Sequence, residues 1–164
     1  MYKKILVPTD GSDLSGQAVA AAIDFARQCG ASIVALSIAE PYPIMPSAEG
    51  ALLIDPGLEV RTLLDIAQQH VERVAESARA AGVDCTLATA ISMSPHDEII
   101  RAAKEHGCDL IFMASHGRRG LSRLLVGSVT RNVLAYSPVP VLVLRPRRED
   151  GKLNVPVAQA PPSS

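Results

Sequence analysis

Two kinds of apolar pattern alternate along the chain. Short continuous apolar runs predict β-strands, and longer stretches with apolar positions every three or four residues predict amphipathic helices. The predicted strands are Ile5–Val7, Ile33–Ile38, Cys85–Ala90, Leu110–Met113 and Val139–Leu144. The helical pattern occurs from Leu14 to Cys29, from Val60 to Ala78, from Ile99 to Ala103 and again after Gly127.

Glycines and one Ser-Pro step mark the predicted helix boundaries. Gly30, Gly82 and Gly107 each follow the end of a helical pattern, where glycine commonly ends a helix. Ser94 can cap the third helix, and Pro95 suits its first turn. Four helices are therefore expected between and after the strands.

The alternation of strands and helices predicts the fold class. It is typical of an α/β protein with a parallel sheet covered by helices on both faces. We expect a five-stranded, mostly parallel sheet in a three-layer sandwich, wound as in Rossmann-like or flavodoxin-like folds. The run Cys85–Ala90 is weaker and alternating, which suggests an edge strand. Ligands of such sheets bind beyond the carboxyl ends of the strands.

Composition narrows the class of protein. The chain has 164 residues, enough for one domain, and its aromatic content of 3% predicts a core of Ala, Val, Ile and Leu. A net charge of −1 gives no general attraction for nucleic acid or an acidic membrane. No apolar stretch approaches the length of a membrane span, so we expect a cytosolic protein. The spacing of cysteines and histidines predicts neither a disulfide framework nor a metal site, and the three cysteines are expected to be small buried thiols.

Two segments differ from the alternating pattern. Residues 1–146 form the predicted domain, and the Pro-containing tail of residues 147–164 is predicted to be disordered. Glu40 to Pro56 is a long connection with several apolar residues. A lid over a ligand and a partly packed excursion are both compatible with it.

The most informative segment follows the predicted strand Leu110–Met113. A loop containing Gly117 and Gly120 leads to Gly127, where the next helical pattern begins. Glycines allow backbone N–H groups to approach phosphate oxygens, and a helix start presents unpaired donors. The hydroxyls of Ser128 and Thr130 could contact phosphates, or could simply cap the helix.

Other polar residues near these positions have two possible roles. Arg118, Arg119 and Arg123 could face phosphates, but at least two of them are expected on a solvated face. For His116 we favour a structural or ligand-lining role, since no partner for acid–base chemistry is visible in the sequence. Asp10 follows the first strand and could accept hydrogen bonds from a ribose or base, while Asp10 or Ser12 could cap the next helix.

Four segments, from Lys4 to Ser12, from Cys108 to Gly120, from Leu125 to Thr130 and from Pro138 to Leu144, resemble those of the universal stress protein family. The segment KILVPTDGS, from Lys4 to Ser12, resembles the family's opening strand. The segments CDLIFMASHGRRG and LVGSVT, between Cys108 and Thr130, resemble its signature. Pro138 to Leu144 resembles the closing strand, so the resemblance covers about residues 2 to 146.

In the family's ATP-binding branch the signature is Gly, two residues, Gly, nine residues, Gly, and then Ser or Thr. Gly117, Gly127 and Ser128 match it, but Ala114 stands at the first position. The added methyl could crowd a phosphate or the ribose, although it is the smallest possible change. The resemblance implies that Pro8, Thr9, Asp10 and Ile38 line the adenosine end. It implies that the ribose and phosphates are lined by Met113, Ala114, Gly117, Gly127, Ser128, Val129 and Thr130.

The resemblance implies a cytosolic ATP-binding universal stress protein that acts as a nucleotide-dependent stress-response switch, with Mg²⁺ carried by the nucleotide. It also implies a homodimer that pairs the last strand, Val139 to Leu144, edge to edge, and an unidentified downstream protein partner. An unpaired apolar edge strand is a liability, which gives dimerisation a physical motive.

Two alternatives remain open at this point. The first is a slow ATPase or nucleotide transferase, but no paired carboxylates or base–nucleophile set is visible, so we expect no catalytic residues and at most weak ATP hydrolysis. The second is a nucleotide-free stress-response scaffold dimer, in which Ala114 marks a degenerate site. Nucleic-acid and membrane binding are not expected.

Overall fold

The computed structural model describes residues 1–41, 56–116 and 126–145. Strands and helices alternate within them, as expected. The elements are β1 (Lys4–Pro8), α1 (Asp13–Cys29), β2 (Ser32–Ala39), α2 (Pro56–Ala80), β3 (Cys85–Ile91), α3 (Pro95–Glu105), β4 (Leu110–Ala114), α4 (Ser128–Tyr136) and β5 (Val141–Leu144). The predicted tail, nearly all of the long connection and the arginine-containing loop lie outside the described residues.

The five strands form one sheet in the order β3-β2-β1-β4-β5, and every neighbouring pair is parallel. This confirms the predicted fold class and the edge position of β3. The chain winds outward from β1 to β3 and then returns to β4 on the other side of β1. This is the Rossmann-like order, and its switch point lies between β1 and β4.

Alternate side chains of the strands enter two separate hydrophobic clusters, one on each face of the sheet. In β1, for example, Ile5 and Val7 point to the face covered by α1 and α2, while Leu6 points to the face covered by α3 and α4. Because both faces are covered, the central strands are mostly apolar. The core is built mainly from Ala, Val, Ile and Leu, as the composition predicted.

The predicted helix ends are confirmed, with one exception in capping. Gly30, at the end of α1, has φ 66°, a left-handed conformation that glycine adopts without strain. Pro95 occupies the first turn of α3. Ser94 stands before α3 but makes no side-chain cap, because its hydroxyl donates to the Asp97 carboxylate at 2.7 Å instead.

The expectation of three buried thiols is wrong for two cysteines. Cys108 is buried, whereas Cys29 and Cys85 are half-buried, and all three are free. Burial raises the pKa of the Cys108 thiol to about 11. Among the described residues no helix is long and apolar enough to cross a membrane.

Candidate functional site

A cavity of about 540 Å³ lies at the carboxyl ends of β1, β2 and β4. This size is within the range of small-molecule sites. Ten of the eleven predicted site residues line it, and Gly117 lies outside the described residues. The ten are Pro8, Thr9, Asp10, Ile38, Met113, Ala114, Gly127, Ser128, Val129 and Thr130.

In the turn between β1 and α1, Asp10 is held by hydrogen bonds from Ser12. The Asp10 carboxylate accepts from the Ser12 N–H at 3.0 Å and from the Ser12 hydroxyl at 2.6 Å. The Ser12 hydroxyl in turn accepts from the Ser15 N–H at 3.3 Å, as the N-cap of α1. Ser12 therefore caps α1. Asp10 orients the Ser12 hydroxyl and also lines the cavity.

The backbone of Ile38 faces the gap where β1 ends. The Ser32 N–H donates to the Lys3 carbonyl, and the Thr9 N–H donates to the Leu36 carbonyl as the chain leaves β1. Alternate residues of a central parallel strand bond to the same neighbour, so even-numbered residues of β2 face β1. Ile38 is the next of these residues, and β1 has already ended at Pro8. The N–H and C=O of Ile38 therefore point toward the edge of the cavity, where they offer a donor beside an acceptor.

Ser115 connects the exit of β4 to the start of α4. Its N–H donates to the Leu144 carbonyl and its carbonyl accepts from the Gly127 N–H, both at 2.8 Å. A Cβ on Gly127 would lie 3.3 Å from the Ser115 carbonyl oxygen, closer than most Cβ contacts. A side chain at this position would be crowded by the close approach of two backbones, and the Gly127 N–H is already used.

Thr130 is buried and its hydroxyl donates to the Ala114 carbonyl at 3.0 Å. A hydroxyl has one proton to donate, so this bond leaves none for a phosphate oxygen. Thr130 therefore holds the first turn of α4 against the end of β4. Ser128, in contrast, is exposed and lines the cavity.

The first turn of α4 presents backbone donors to the cavity. Its N-cap is Gly127, which has no side chain to cap with, and the first helical bond runs from the Arg131 N–H to the Gly127 carbonyl. The N–H groups of the three residues between them have no partner within the helix. The first turn contains no acidic residue, whereas that of α3 contains Asp97 and Glu98. Of these two helix starts, α4 is the one suited to an anion.

Ala114 departs from the expected glycine, and its side chain lies on the face of the sheet that α1 and α2 cover. It belongs to the cluster under α1 and α2, with Phe112 two residues earlier and Leu144 packed beside it. Met113 points to the opposite cluster. The methyl therefore fills core space next to the sheet.

His116 follows β4 and lines the cavity, and it is the last described residue before the loop. Its Nδ1 lies 2.9 Å from the Ser115 hydroxyl. Its Nε2 is buried and has no hydrogen-bond partner among the described residues. Because the Ser115 hydroxyl is itself fully buried, its contact with His116 fits the expected structural or ligand-lining role.

One wall of the cavity was missed in the sequence analysis. Leu63, Ile66, Ala67 and His70 contribute it from α2. They follow the i, i+3, i+4, i+7 spacing of one helix face, a signal that was present in the sequence. Met93 and Ser94 of the β3–α3 connection also line the cavity, as do Pro95 and His96 at the start of α3.

The described residues that line the cavity include acidic side chains but no basic Lys or Arg. Asp10 and Glu40 line the cavity, and no lysine or arginine does so in the part of the chain that the structure describes. Nor do those residues contain a group of three or more His, Cys, Asp or Glu that could hold a metal ion. An anionic ligand here would depend on backbone donors, on its own counter-cation or on the loop beyond His116.

Comparison with known proteins establishes the family. The family model described as the universal stress protein family matches residues 1–145. Universal stress protein MJ0531 of Methanocaldococcus jannaschii is 34% identical over 151 residues, which cover 91% of this chain and 86% of that protein. Universal stress protein MJ0577 of the same organism is 31% identical over 156 residues, covering 88% of this chain and 96% of that protein.

Solved structures agree with this assignment. The structure of MJ0577 superposes with a TM-score of 0.72 at 29% identity, covering 90% of this chain and 98% of that one. A universal stress protein solved in complex with cAMP superposes with a TM-score of 0.60 at 25% identity, covering 88% and 97% of the two chains. The chain belongs to the universal stress protein family.

Proposed function

We propose that this stress protein binds ATP, with Mg²⁺ carried by the nucleotide, in the cavity at the carboxyl ends of its strands, and that nucleotide occupancy switches its interaction with a protein partner. The observation that carries the proposal is the first turn of α4, whose N–H groups have no partner within the helix and lie at the same cavity as Asp10 and the Ile38 backbone. A related protein solved with cAMP supports an adenine nucleotide as the ligand class.

Each part of the nucleotide has a matching partner in this arrangement. An N–H donor beside a C=O acceptor on Ile38 complements the N1 acceptor and N6 amino group of adenine. In this proposal the Asp10 carboxylate accepts from ribose hydroxyls, and the α4 N–H groups donate to phosphate oxygens. Because the described lining lacks Lys and Arg, Mg²⁺ on the nucleotide would offset part of the phosphate charge.

The test is calorimetric titration of the full chain, stripped of nucleotide, with ATP and Mg²⁺. Ser128→Pro removes one N–H donor at the first helical position, where proline is well tolerated, and Gly127 before it already has an extended ψ of 154°. Ser128→Ala is the matched control, because it removes the hydroxyl and keeps the N–H. We expect ATP binding by the native chain and a roughly tenfold weaker Kd for Ser128→Pro than for Ser128→Ala, the ratio for one lost charge-assisted bond.

The outcomes separate the proposal from its alternatives. Absence of binding by the folded native chain to ATP, ADP, AMP and cAMP would reject it in favour of a nucleotide-free scaffold. Steady phosphate release that Asp10→Asn abolishes would instead indicate a slow ATPase. The switch itself requires that amide exchange in α4 differ between the nucleotide-bound and nucleotide-free chain, and equal exchange would reject that part.

A further inference from the structure

His70 stands where three cavity-lining segments meet. It projects from α2, and its Nδ1 lies 3.2 Å from the hydroxyl of Ser37 on β2. Its ring covers Gly11 in the turn after β1, because a Cβ built on Gly11 would lie 2.7 Å from the ring Cδ2 and 2.8 Å from Cε1. The imidazole therefore occupies the space that a side chain at position 11 would need.

Gly11 is suited to this contact in two ways. Its φ of 75° is in the left-handed region, which glycine adopts at no steric cost. It also has no side chain, so the imidazole can lie directly against the backbone of the turn. Position 11 and position 70 thus form a matched pair, a small residue beneath a planar ring.

The partner that anchors the ring is rigid. Ser37 is only 2% exposed and lies within β2, which is paired on both sides by β1 and β3. Two hydrogen bonds of the Asp10 carboxylate run to Ser12 in the same turn and fix its local shape. The His70 ring adds a contact from the sheet and α2 that can fix where the turn stands.

We propose that His70 is a positioning residue of the ligand site. Anchored by Ser37, its ring sets the position of the Asp10–Gly11–Ser12 turn relative to the cavity, and so sets the affinity for the ligand that Asp10 contacts. The binding test of this inference rests on the proposed nucleotide function. His70 lies outside the glycine-containing segment on which that function is based.

A double-mutant cycle tests the pairing. The full chain is titrated with ATP and Mg²⁺ as native protein, His70→Ala, Gly11→Ala and the double variant, with His106→Ala at the far end of α3 as the histidine control. We expect His70→Ala and Gly11→Ala each to weaken binding about tenfold, since a displaced Asp10 would lose about one charge-assisted hydrogen bond to the ligand. In the double variant the steric overlap is gone, so the two effects should be clearly less than multiplicative.

A second pair of measurements separates positioning from general stability. His70→Gln carries an amide that reaches toward the place of the imidazole Nε2, and it should recover part of the affinity. If His70 were only structural, His70→Ala would lower the thermal midpoint while the folded protein kept its native Kd. An unchanged Kd for His70→Ala, or independent effects of the two substitutions, would overturn the proposal.

A ligand-free measurement distinguishes failure of this inference from failure of the proposed function. If the native chain binds no adenine nucleotide, the function fails, and backbone NMR order parameters of Gly11 and Ser12 decide the inference. We expect them to fall in His70→Ala and to stay native in His106→Ala. Native values in His70→Ala would overturn the positioning role.

Discussion

Ala114 illustrates how one residue's direction changes the meaning of a motif. Its methyl lies in the cluster under α1 and α2, while Met113 and the first turn of α4 lie toward the other face. The glycine of the family signature is replaced without placing a side chain among the α4 donors. We therefore infer that Ala114 stabilises the end of β4 and leaves ligand binding intact.

The substitution Ala114→Gly tests this inference. We expect the free energy of unfolding to fall by about 1 kcal/mol, because glycine in a strand loses more chain entropy and one buried methyl is removed. We expect the Kd for ATP to stay within about twofold, since the methyl faces the core. Urea unfolding and calorimetric titration measure the two quantities, and binding that tightens tenfold or more in Ala114→Gly would show that the methyl obstructs the site.

The site could be predicted from sequence at the level of segments more than of side-chain roles. The order of strands and motifs predicted that Asp10, Ile38 and the Gly127 segment share one cavity, because the carboxyl ends of parallel strands meet at one edge of the sheet. Spacing could not show that the Thr130 proton is already donated to a carbonyl, since that depends on the packing of α4 against β4. It also could not bring His70 to Gly11, because that contact joins residues far apart in the chain.

At the scale of elements, β1 is held at its start by a carboxylate that precedes β4. Asp109 accepts from the Lys3 N–H at 2.8 Å and from the Lys4 N–H at 3.1 Å. Burial raises the pKa of Asp109, but hydrogen bonds from the Lys3 and Lys4 N–H groups and its own N–H, together with the charge of the N-terminus, lower the pKa overall. The ionised carboxylate thus ties together the two central strands that flank the switch point.

This clamp predicts a pH dependence of stability. A carboxyl group with a lowered pKa in the folded state stabilises the fold above its unfolded pKa of about 3.9, and the contribution disappears as the pH falls through the folded value. We expect Asp109→Asn to be less stable than the native chain by roughly 1 kcal/mol at pH 7, with the difference shrinking below about pH 4. Urea unfolding between pH 3 and 7 measures it.

The matched control for the clamp is Asp84→Asn, an exposed aspartate on the turn before β3. It should show no comparable pH-dependent difference from the native chain. A difference between native protein and Asp109→Asn that stays constant down to pH 3 would mean that the carboxylate charge plays no part in holding β1.

The order of the elements was less predictable than the elements themselves. Apolar periodicity located the strands and helices of the described residues, because each must bury one face or both. It left Rossmann-like and flavodoxin-like winding open, since both bury strands of the same pattern. The start of β5 at Val141, two residues later than expected, reflects a local turn in which the Val139 N–H donates to the Ser137 hydroxyl.

At the scale of the whole molecule, β5 has one edge that the described chain does not cover. The Ile111 N–H donates to the Pro140 carbonyl and the Ser115 N–H to the Leu144 carbonyl, so even-numbered residues of β5 bond to β4. The backbone groups of Val141 and Val143 consequently point to the open edge. Ser115 also accepts from Gly127, which places the edge strand two hydrogen bonds from the start of α4.

We propose that a second copy of the chain pairs with this edge, and the alternation of β5 allows a selective test. Val143→Pro removes an N–H from the open edge and leaves the bonds to β4 in place, because proline is tolerated on an edge when its missing donor faces outward. We expect light scattering after size exclusion to show twice the chain mass of 17.3 kDa for the native protein and the single mass for Val143→Pro. Val143→Ala keeps the N–H and should remain a dimer. A native protein of single mass, or equal dissociation by both variants, would show that this edge does not pair through its backbone.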